Sequence, residues 1–155
     1  MRRVLITGIT GYIGAHLARN LLPDCEVCGL VREPRNLEYL GDIHSSIRFV
    51  GYDGTYTCME AAIESCQPDL VYHLAAYYTG GRSPEQLASL LDANIVLGAH
   101  LLEAMAEHKI PALVWASTVM AHYRGKPYCP LNLYAATKQA FSDLLAYYTD
   151  AGLLR

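Results

Sequence analysis

The sequence predicts an α/β protein with a parallel sheet, because apolar runs of strand length alternate with helical patterns along its 155 residues. The first apolar run ends in a glycine-rich turn that leads directly into a helical pattern. Hydrophobic residues make up 52% of the chain and charged residues 17%, which is typical of a globular domain. We therefore predict a doubly wound sheet within one domain that covers residues 1–155.

The predicted strands and helices follow one another in regular order. Strands are predicted at 3–7, 26–31, 47–50, 69–75 and 112–116, and helices at 12–22, 55–66, 84–108 and 131–151. A polar segment, 32–46, separates the second strand from the third. Gly152 is a predicted helix C-cap, and Leu153-Leu154-Arg155 has the character of a strand beginning. Since a dinucleotide-binding sheet has six strands, we expect this sheet to be truncated after about five.

Composition and charge give no support to several other classes of protein. The formal net charge of −3 offers no electrostatic argument for nucleic acid or an anionic membrane, and we expect no apolar run of membrane-spanning length. The odd number of cysteines, five, does not predict a disulfide framework, and the six histidines have no metal-ligand spacing. The first strand begins directly after the N-terminus. We therefore expect a cytoplasmic protein without a signal peptide or metal.

Three glycines spaced three apart, Gly8, Gly11 and Gly14, form the turn after the first strand. Glycines let the backbone approach a pyrophosphate, which then meets free N–H groups and the positive end of a helix dipole. Glycine triplets also arise by chance, so a β-α turn without a ligand is the alternative. The position between a strand and a helix favours a dinucleotide site.

Arg32 lies eighteen residues after Gly14, at the end of the second predicted strand. That position contacts the adenosine ribose, where an arginine suits the 2′-phosphate of NADP and an acidic residue suits the 2′-hydroxyl of NAD. Arg35 can assist Arg32, whereas Glu33 would restore a preference for NAD if it turned inward. The sequence thus favours NADP, with NAD and a solvated loop arginine as the alternatives.

Other candidate cofactor residues follow the third and fourth strands. Asp53 is placed to accept a hydrogen bond from an adenine amine, although Asp53-Gly54 is also a common turn pair. The small residues of His73-Leu74-Ala75-Ala76 would let the backbone pass close to a ligand. Asn94 lies on an apolar helical stripe and needs hydrogen-bond partners if buried. Bracing of neighbouring backbone is favoured for Asn94 over ordering of an active site.

The strongest catalytic pattern is the pair Tyr134 and Lys138, which share one helix face because they are four residues apart. A tyrosine ionises near about pH 10, and a neighbouring ammonium and an oxidised nicotinamide would both lower this pKa. Tyr134 could then exchange a proton with a substrate oxygen during hydride transfer. Ser117-Thr118 supplies hydroxyl groups at the end of the fifth strand, where ligands of open α/β sheets bind.

Together these motifs resemble the extended short-chain dehydrogenase/reductase family of nucleotide-sugar epimerases, dehydratases and reductases. The resemblance spans the chain and is carried by Thr7-Gly8-Ile9-Thr10-Gly11-Tyr12-Ile13-Gly14, His73-Leu74-Ala75-Ala76, Asn94, Ala116-Ser117-Thr118 and Tyr134-Ala135-Ala136-Thr137-Lys138. The run 130–141 is most similar to the branch of 4-ketosugar reductases related to CDP-abequose synthase. The resemblance implies a Rossmann-like fold and an NAD(P)-dependent oxidoreductase.

The resemblance also implies individual roles. Tyr134 would be the acid/base, Lys138 would hold the nicotinamide ribose, and Thr118 would be the hydroxyl partner. The cofactor would contact Gly8, Thr10, Gly11, Tyr12, Ile13, Gly14, Arg32, Asp53, Gly54, Leu74, Ala75, Ala76, Asn94, Tyr134 and Lys138. The dehydratase branch follows its catalytic threonine with Asp-Glu, whereas Val119-Met120 follows Thr118 here, which argues against dehydration.

The implied substrate is a nucleotide-linked sugar, reduced at a 4-keto group, and the implied assembly is a homodimer through helices 84–108 and 131–151. The chain resembles only the N-terminal, cofactor-binding half of the family, without the substrate domain. A nucleotide-sugar 4-epimerase is one alternative. A truncated nucleotide-binding or assembly module without turnover is the other.

Overall fold

A five-stranded parallel sheet forms the centre of the computed structural model, which describes residues 1–32, 36–81 and 83–154. Its strands are β1 (Arg2–Thr7), β2 (Cys25–Val31), β3 (Arg48–Gly51), β4 (Leu70–His73) and β5 (Leu113–Trp115). They lie in the order β3-β2-β1-β4-β5, and every pair is parallel. The chain changes direction across the sheet between β1 and β4, which opens a crevice at their carboxyl ends. The predicted Rossmann-like α/β fold is confirmed.

The helices lie close to their predicted positions. They are α1 (Tyr12–Leu21), α2 (Tyr56–Cys66), α3 (Pro84–Leu91), α4 (Leu97–Glu107) and α5 (Leu133–Asp150). Thr55, Ser83 and Asn132 cap α2, α3 and α5 with side-chain oxygens that accept backbone N–H bonds, as such residues do at helix starts. The predicted helix 84–108 instead contains a π-helical turn, Asp92–Val96, between α3 and α4.

Gly152 ends α5 with a φ of 72°, a conformation in which glycine carries no steric penalty. Its N–H donates to the carbonyl of Thr149 (3.0 Å), and the N–H of Leu153 donates to the carbonyl of Tyr148 (2.9 Å). This Schellman arrangement turns the backbone of Leu153 and Leu154 back onto the helix. The expectation that a strand begins at Leu153 and Leu154 is therefore wrong, and Arg155 lies outside the described residues.

The three inner strands, β1, β2 and β4, are largely buried on both faces, as strands of parallel sheets covered by helices are. Val4 and Ile6 pack with α1 on one face, whereas Leu5 packs on the other face with α2 and α4. Alternation of side chains along each strand therefore supplies two separate hydrophobic clusters. Helices α4 and α5 contribute Leu101, Leu102, Met105 and Phe141 to the second cluster.

The helical run Pro84–Glu107 is long and apolar enough to cross a membrane by length and composition, with a mean hydropathy of 1.3 over its most apolar window. The expectation that no apolar run reaches this length is therefore wrong. In the fold, 44% of that window is buried. Leu101, Leu102 and Met105 are fully enclosed in the second cluster, so packing against the sheet accounts for this apolar stripe.

Candidate functional site

The turn between β1 and α1 is closed by contacts that only glycine permits. Gly8 has a φ of 72°, and a Cβ atom there would lie 2.6 Å from the backbone nitrogen of Ala75. A Cβ atom on Gly14 would lie 2.3 Å from the carbonyl oxygen of Gly8. Both obstructing groups are backbone and cannot rotate away. Because β1, α1 and the end of β4 approach one another so closely, only glycine fits at positions 8 and 14.

Gly11 precedes α1 as its N-cap, and it offers no side-chain hydrogen bond to the first turn. The first N–H groups of an α-helix have no intrahelical acceptor, so this end of α1 can accept an anion. Tyr12 and Ile13, at the first two helical positions, are 63% and 65% exposed. Their outward-facing side chains leave the backbone of the turn accessible to a pyrophosphate.

Two clefts meet above this turn at the carboxyl ends of the strands. The inner cleft, of about 250 Å³, is lined by predicted cofactor residues that include Gly8, Thr10, Gly11, Leu74, Ala75 and Ala76. The outer cleft, of about 550 Å³, is lined by Asp53, Gly54 and residues of α2 and the π turn. Arg32, Tyr52, Ala93 and Leu97 line both. Together the two clefts form one extended groove over the crossover of the sheet, which is the shape an extended dinucleotide needs.

Arg32 follows β2 directly and is exposed where the two clefts meet. A cation at this boundary can contact a phosphate group on a ribose that bridges the clefts. The neighbouring Glu33 and Arg35, which bear on the choice between NADP and NAD, lie outside the described residues. Arg32 therefore remains the one described side chain that carries the NADP prediction.

Asp53 and Gly54 form a turn and also line the outer cleft. The Asp53 carboxylate accepts bonds from the backbone N–H (2.9 Å) and hydroxyl (2.7 Å) of Thr55, while Gly54 has a φ of 98°. These hydrogen bonds, the one from the Thr55 hydroxyl first, lower the pKa of Asp53 and keep the carboxylate ionised as an acceptor. The two interpretations of Asp53-Gly54, turn and adenine contact, are thus compatible.

The end of β4 is tied to β1 through a buried polar contact. Thr7 Oγ1 lies 2.8 Å from His73 Nδ1 and accepts a bond from the backbone N–H of Ala75 (3.1 Å). Burial lowers the pKa of His73 to about 3, so the imidazole is neutral near neutral pH. The other face of the ring packs on Phe141 of α5, with centroids 4.9 Å apart. His73 therefore joins the glycine turn to the helix that carries Tyr134 and Lys138.

Asn94, in the π turn, is 2% exposed and hydrogen-bonded on both sides of its amide. Its Oδ1 accepts from the N–H of Tyr77 (2.8 Å), and its Nδ2 donates to the carbonyl of Tyr77 (3.0 Å) and to Thr137 Oγ1 (3.0 Å). The Thr137 hydroxyl in turn donates to the carbonyl of Tyr134 (2.8 Å). Asn94 thus braces the loop after β4 against the start of α5, and it lies outside both clefts.

Tyr134 and Lys138 lie one turn apart near the start of α5, as predicted. Burial raises the pKa of Tyr134, whereas the lowering expected from the sequence also requires a bound oxidised nicotinamide. The Lys138 ammonium lies 4.6 Å from the centroid of the Trp115 ring. Burial also lowers the pKa of Lys138 to about 8. The Tyr134 ring meets Tyr78 edge-to-face, with centroids 5.2 Å apart.

Thr118 follows β5 and caps a short 3₁₀ turn, Val119–Ala121, by accepting the N–H of Met120 at 3.3 Å. The carbonyl of Met120 accepts the N–H of Leu131 (2.9 Å), which brings this turn beside the start of α5. The structure therefore places Thr118 on the element next to Tyr134, and it places both at the β5 side of the sheet. We refer to Thr118, Tyr134 and Lys138 as the reaction edge.

Several residues of the groove carry no signal that the sequence analysis detected. Tyr52, Ala93 and Leu97 line both clefts, and Asp92 and Val96 line the outer one. Ala93 and Leu97 lie beside Asn94 on the apolar stripe. Apolar residues at helical spacing fit a packed core and the wall of a cleft equally well, so the pattern does not distinguish the two. Only the crossing of the π turn over the end of β3 brings them to the groove.

The fold and the glycine turn define a protein of the dinucleotide-binding, Rossmann-like class. The sequence pattern of the NAD dependent epimerase/dehydratase family matches residues 4–155, and the chain belongs to this family. Protein CapI of Staphylococcus aureus is 30% identical over 94% of this chain and 48% of its own length.

Solved structures give the same result. The Bordetella bronchiseptica enzyme WbmH in complex with NAD⁺ is 29% identical, with a TM-score of 0.80 over 95% of this chain and 52% of that protein. The Thermus thermophilus UDP-glucose 4-epimerase in complex with NAD is 30% identical, with a TM-score of 0.82 over 97% of this chain and 51% of that protein. The chain thus spans about half the length of the relatives it matches.

Proposed function

We propose that this chain is the cofactor-binding half of an NAD(P)-dependent enzyme that reduces the 4-keto group of a nucleotide-linked sugar. The observation that carries the proposal is the groove formed by the two clefts, which runs from the glycine turn past Arg32 to Asp53. Backbone atoms fill the space that side chains at Gly8 and Gly14 would need. The groove therefore has a floor that a pyrophosphate can approach closely.

In this proposal, NADP is the cofactor. The N-terminus of α1 would hold the pyrophosphate between the turn residues and the backbone of Tyr12 and Ile13. Arg32 would contact the 2′-phosphate and Asp53 the adenine. NAD is the alternative, because the solved relatives WbmH and the Thermus epimerase were determined with NAD.

The bound dinucleotide would supply a hydride to the substrate carbonyl carbon. The raised pKa keeps the Tyr134 phenol protonated at neutral pH, so Tyr134 can donate its proton to the carbonyl oxygen. The C=O π bond then becomes a C–H and an O–H bond, and the phenolate is left on Tyr134. Thr118 would donate a hydrogen bond to the same oxygen, and Lys138 would hold the nicotinamide ribose.

A 4-epimerase is the second candidate, since named relatives include the UDP-glucose 4-epimerases of Thermus thermophilus and Halalkalibacterium halodurans. In epimerisation Tyr134 would first take and later return the substrate proton, and the dinucleotide would carry the hydride. Dehydration is less favoured because Thr118 precedes Val119-Met120. Because the chain spans about half of its relatives, a nucleotide-binding module without turnover is a third outcome for this polypeptide.

The remaining parts of the proposal concern setting and assembly. A nucleotide-linked sugar as substrate and a homodimer through the α3–α4 run and α5 are proposed on the family resemblance. A cytoplasmic location is proposed on the sequence expectation alone. Analytical ultracentrifugation tests the dimer. Nucleic acid is not a proposed partner, given a formal net charge of −3.

The first experiment is a calorimetric titration of the chain with NADPH and with NADH, repeated on Arg32→Asp. Loss of a charge-assisted bond to phosphate is worth about 1.5–3 kcal/mol, so we expect NADPH affinity to fall at least about tenfold while NADH affinity is kept. Arg2→Asp makes the same change of charge at the opposite end of the sheet and should leave both affinities unchanged.

Equal losses for NADPH and NADH in Arg32→Asp would contradict a 2′-phosphate contact and favour NAD. Binding of neither cofactor by the unmodified chain would contradict the cofactor proposal itself.

A further inference from the structure

Tyr52 forms a wall common to both clefts, although no motif singles it out. It lies directly after β3, its side chain is 7% exposed, and it lines both the inner and the outer cleft. The N–H of Tyr52 donates to the carbonyl of Val31 at 2.9 Å, which fixes its backbone beside the end of β2. The Tyr52 ring packs in the second hydrophobic cluster, and its hydroxyl reaches α4.

The Tyr52 hydroxyl contacts His100 of α4, with 2.9 Å between the oxygen and Nδ1. The two rings meet edge-to-face, with centroids 6.2 Å apart. Burial raises the pKa of Tyr52, and Asp53 and Asp92 raise it further, so the phenol stays protonated. The Tyr52 hydroxyl and Nδ1 of His100 therefore share one hydrogen bond, in which the imidazole nitrogen accepts or donates according to its tautomer.

His100 is itself held from its other side. The Tyr56 ring of α2 packs edge-to-face on His100, with centroids 5.9 Å apart. The Tyr56 hydroxyl donates to the carboxylate of Glu107, which lies two turns further along α4. A continuous row of contacts thus runs from Glu107 through Tyr56 and His100 to Tyr52 at the groove. His100 connects two helices to one ring of the groove wall.

We propose that His100 is a positioning residue for recognition of the adenosine half of the dinucleotide. Its Nδ1 holds the Tyr52 ring in place as the wall against which the adenosine packs. This inference rests on the proposed function, because it assumes that the outer cleft takes the adenosine. A purely structural contact between α4 and the end of β3 is the competing explanation, and it predicts a loss of stability without a change in ligand affinity.

The test measures binding of NADPH and of ADP-ribose, a ligand that carries the adenosine half without nicotinamide. We expect His100→Leu to weaken both ligands by the same factor, about tenfold, because the Tyr52 hydroxyl loses its hydrogen-bond partner. His100→Asn should restore most of this affinity, since the side-chain amide of asparagine can accept or donate the same bond. His108→Leu, at the half-buried C-terminal end of α4 and away from both clefts, is the matched control and should change neither affinity.

Tyr52→Phe removes a single oxygen and should reproduce the loss seen with His100→Leu. In the double variant the two losses should not add, because both remove one hydrogen bond. Thermal unfolding of each variant separates affinity from stability. Additive losses, or a lower Tm with unchanged ADP-ribose affinity, would overturn the role of His100. If the unmodified chain binds neither ligand, the proposed function fails as well, whereas unchanged binding in the variants contradicts only the inference about His100.

Discussion

The cradle, which we define as residues 8–14 and 74–76, differs from the reaction edge in the kind of atoms that form it. The cradle is backbone held against backbone, with the missing Cβ atoms of Gly8 and Gly14 as its essential feature. The reaction edge consists of side chains on α5 and after β5, whose effect depends on their rotamers. Close packing thus fixes the first region before any ligand binds, whereas a rotation of one lysine alters the electrostatics of the second.

The largest effect should come from filling the cradle. Gly14→Ala places a methyl group against the Gly8 carbonyl, and we expect a loss of about 3 kcal/mol in the free energy of unfolding together with loss of dinucleotide binding. Chemical denaturation and calorimetry measure the two effects.

Gly80→Ala is the control for this substitution, because a Cβ atom there meets nothing within 4 Å. A Gly14→Ala variant with unchanged stability and affinity would show that the cradle can relax, and the contrast with the reaction edge would be lost.

An intermediate effect concerns His73, which links the two regions. The pKa of His73 is about 3 in the fold against 6.5 for an unperturbed histidine, so between these values the unfolded chain binds more protons than the folded one. Stability should therefore fall as the pH falls through this window, by up to about 1.4 kcal/mol per pH unit from this group.

His73→Asn has no titratable ring, and its unfolding free energy should depend less steeply on pH between about pH 6.5 and pH 4. Urea denaturation of both proteins across this range gives the comparison, with His44→Asn as the surface control. Parallel pH profiles for the unmodified chain and His73→Asn would show that His73 charges freely in the fold.

The smallest effect on the fold should come from the reaction edge itself. Tyr134→Phe keeps the ring contact with Tyr78 and removes only the hydroxyl, so we expect stability within about 0.5 kcal/mol and nearly unchanged NADPH affinity. Any NADPH-dependent reduction of a nucleotide-linked 4-keto sugar should fall at least about 100-fold, because the proton donor is lost. Stopped turnover without a change in binding is the expected result, and full activity would exclude Tyr134 as the donor.

The same contrast explains what could be predicted from the sequence. The β1–α1 turn, the positions of the strands and most helix limits depend on local patterns such as glycine spacing, apolar periodicity and capping residues. The pKa of Tyr134 depends on burial of its side chain, and the contact of Lys138 with Trp115 joins α5 to the end of β5. A spacing of four residues contains neither fact, although it correctly predicted that Tyr134 and Lys138 lie one turn apart on one helix.

The groove wall shows a second limit of the same kind. Tyr52 and Leu97 are apolar or aromatic residues in positions that equally suit a core. Their place in the groove comes from three elements that are distant in sequence and meet at one point of the sheet. The prediction that a strand begins at Leu153 was wrong for a related reason. The N–H groups of Leu153 and Leu154, which a strand would have used, donate instead to the carbonyl of Tyr148 at the end of α5.

The π turn Asp92–Val96 has a consequence for the rotational register of the run from α3 to α4. In an uninterrupted α-helix, one added or removed residue rotates everything downstream by about 100°. The wider turn changes this rotation at one point, so that Asn94 bonds to Tyr77 and Thr137 while α4 directs Leu101 and Met105 toward the core. One continuous helical run can thus brace the loop after β4 with its middle and cover the sheet with its second half.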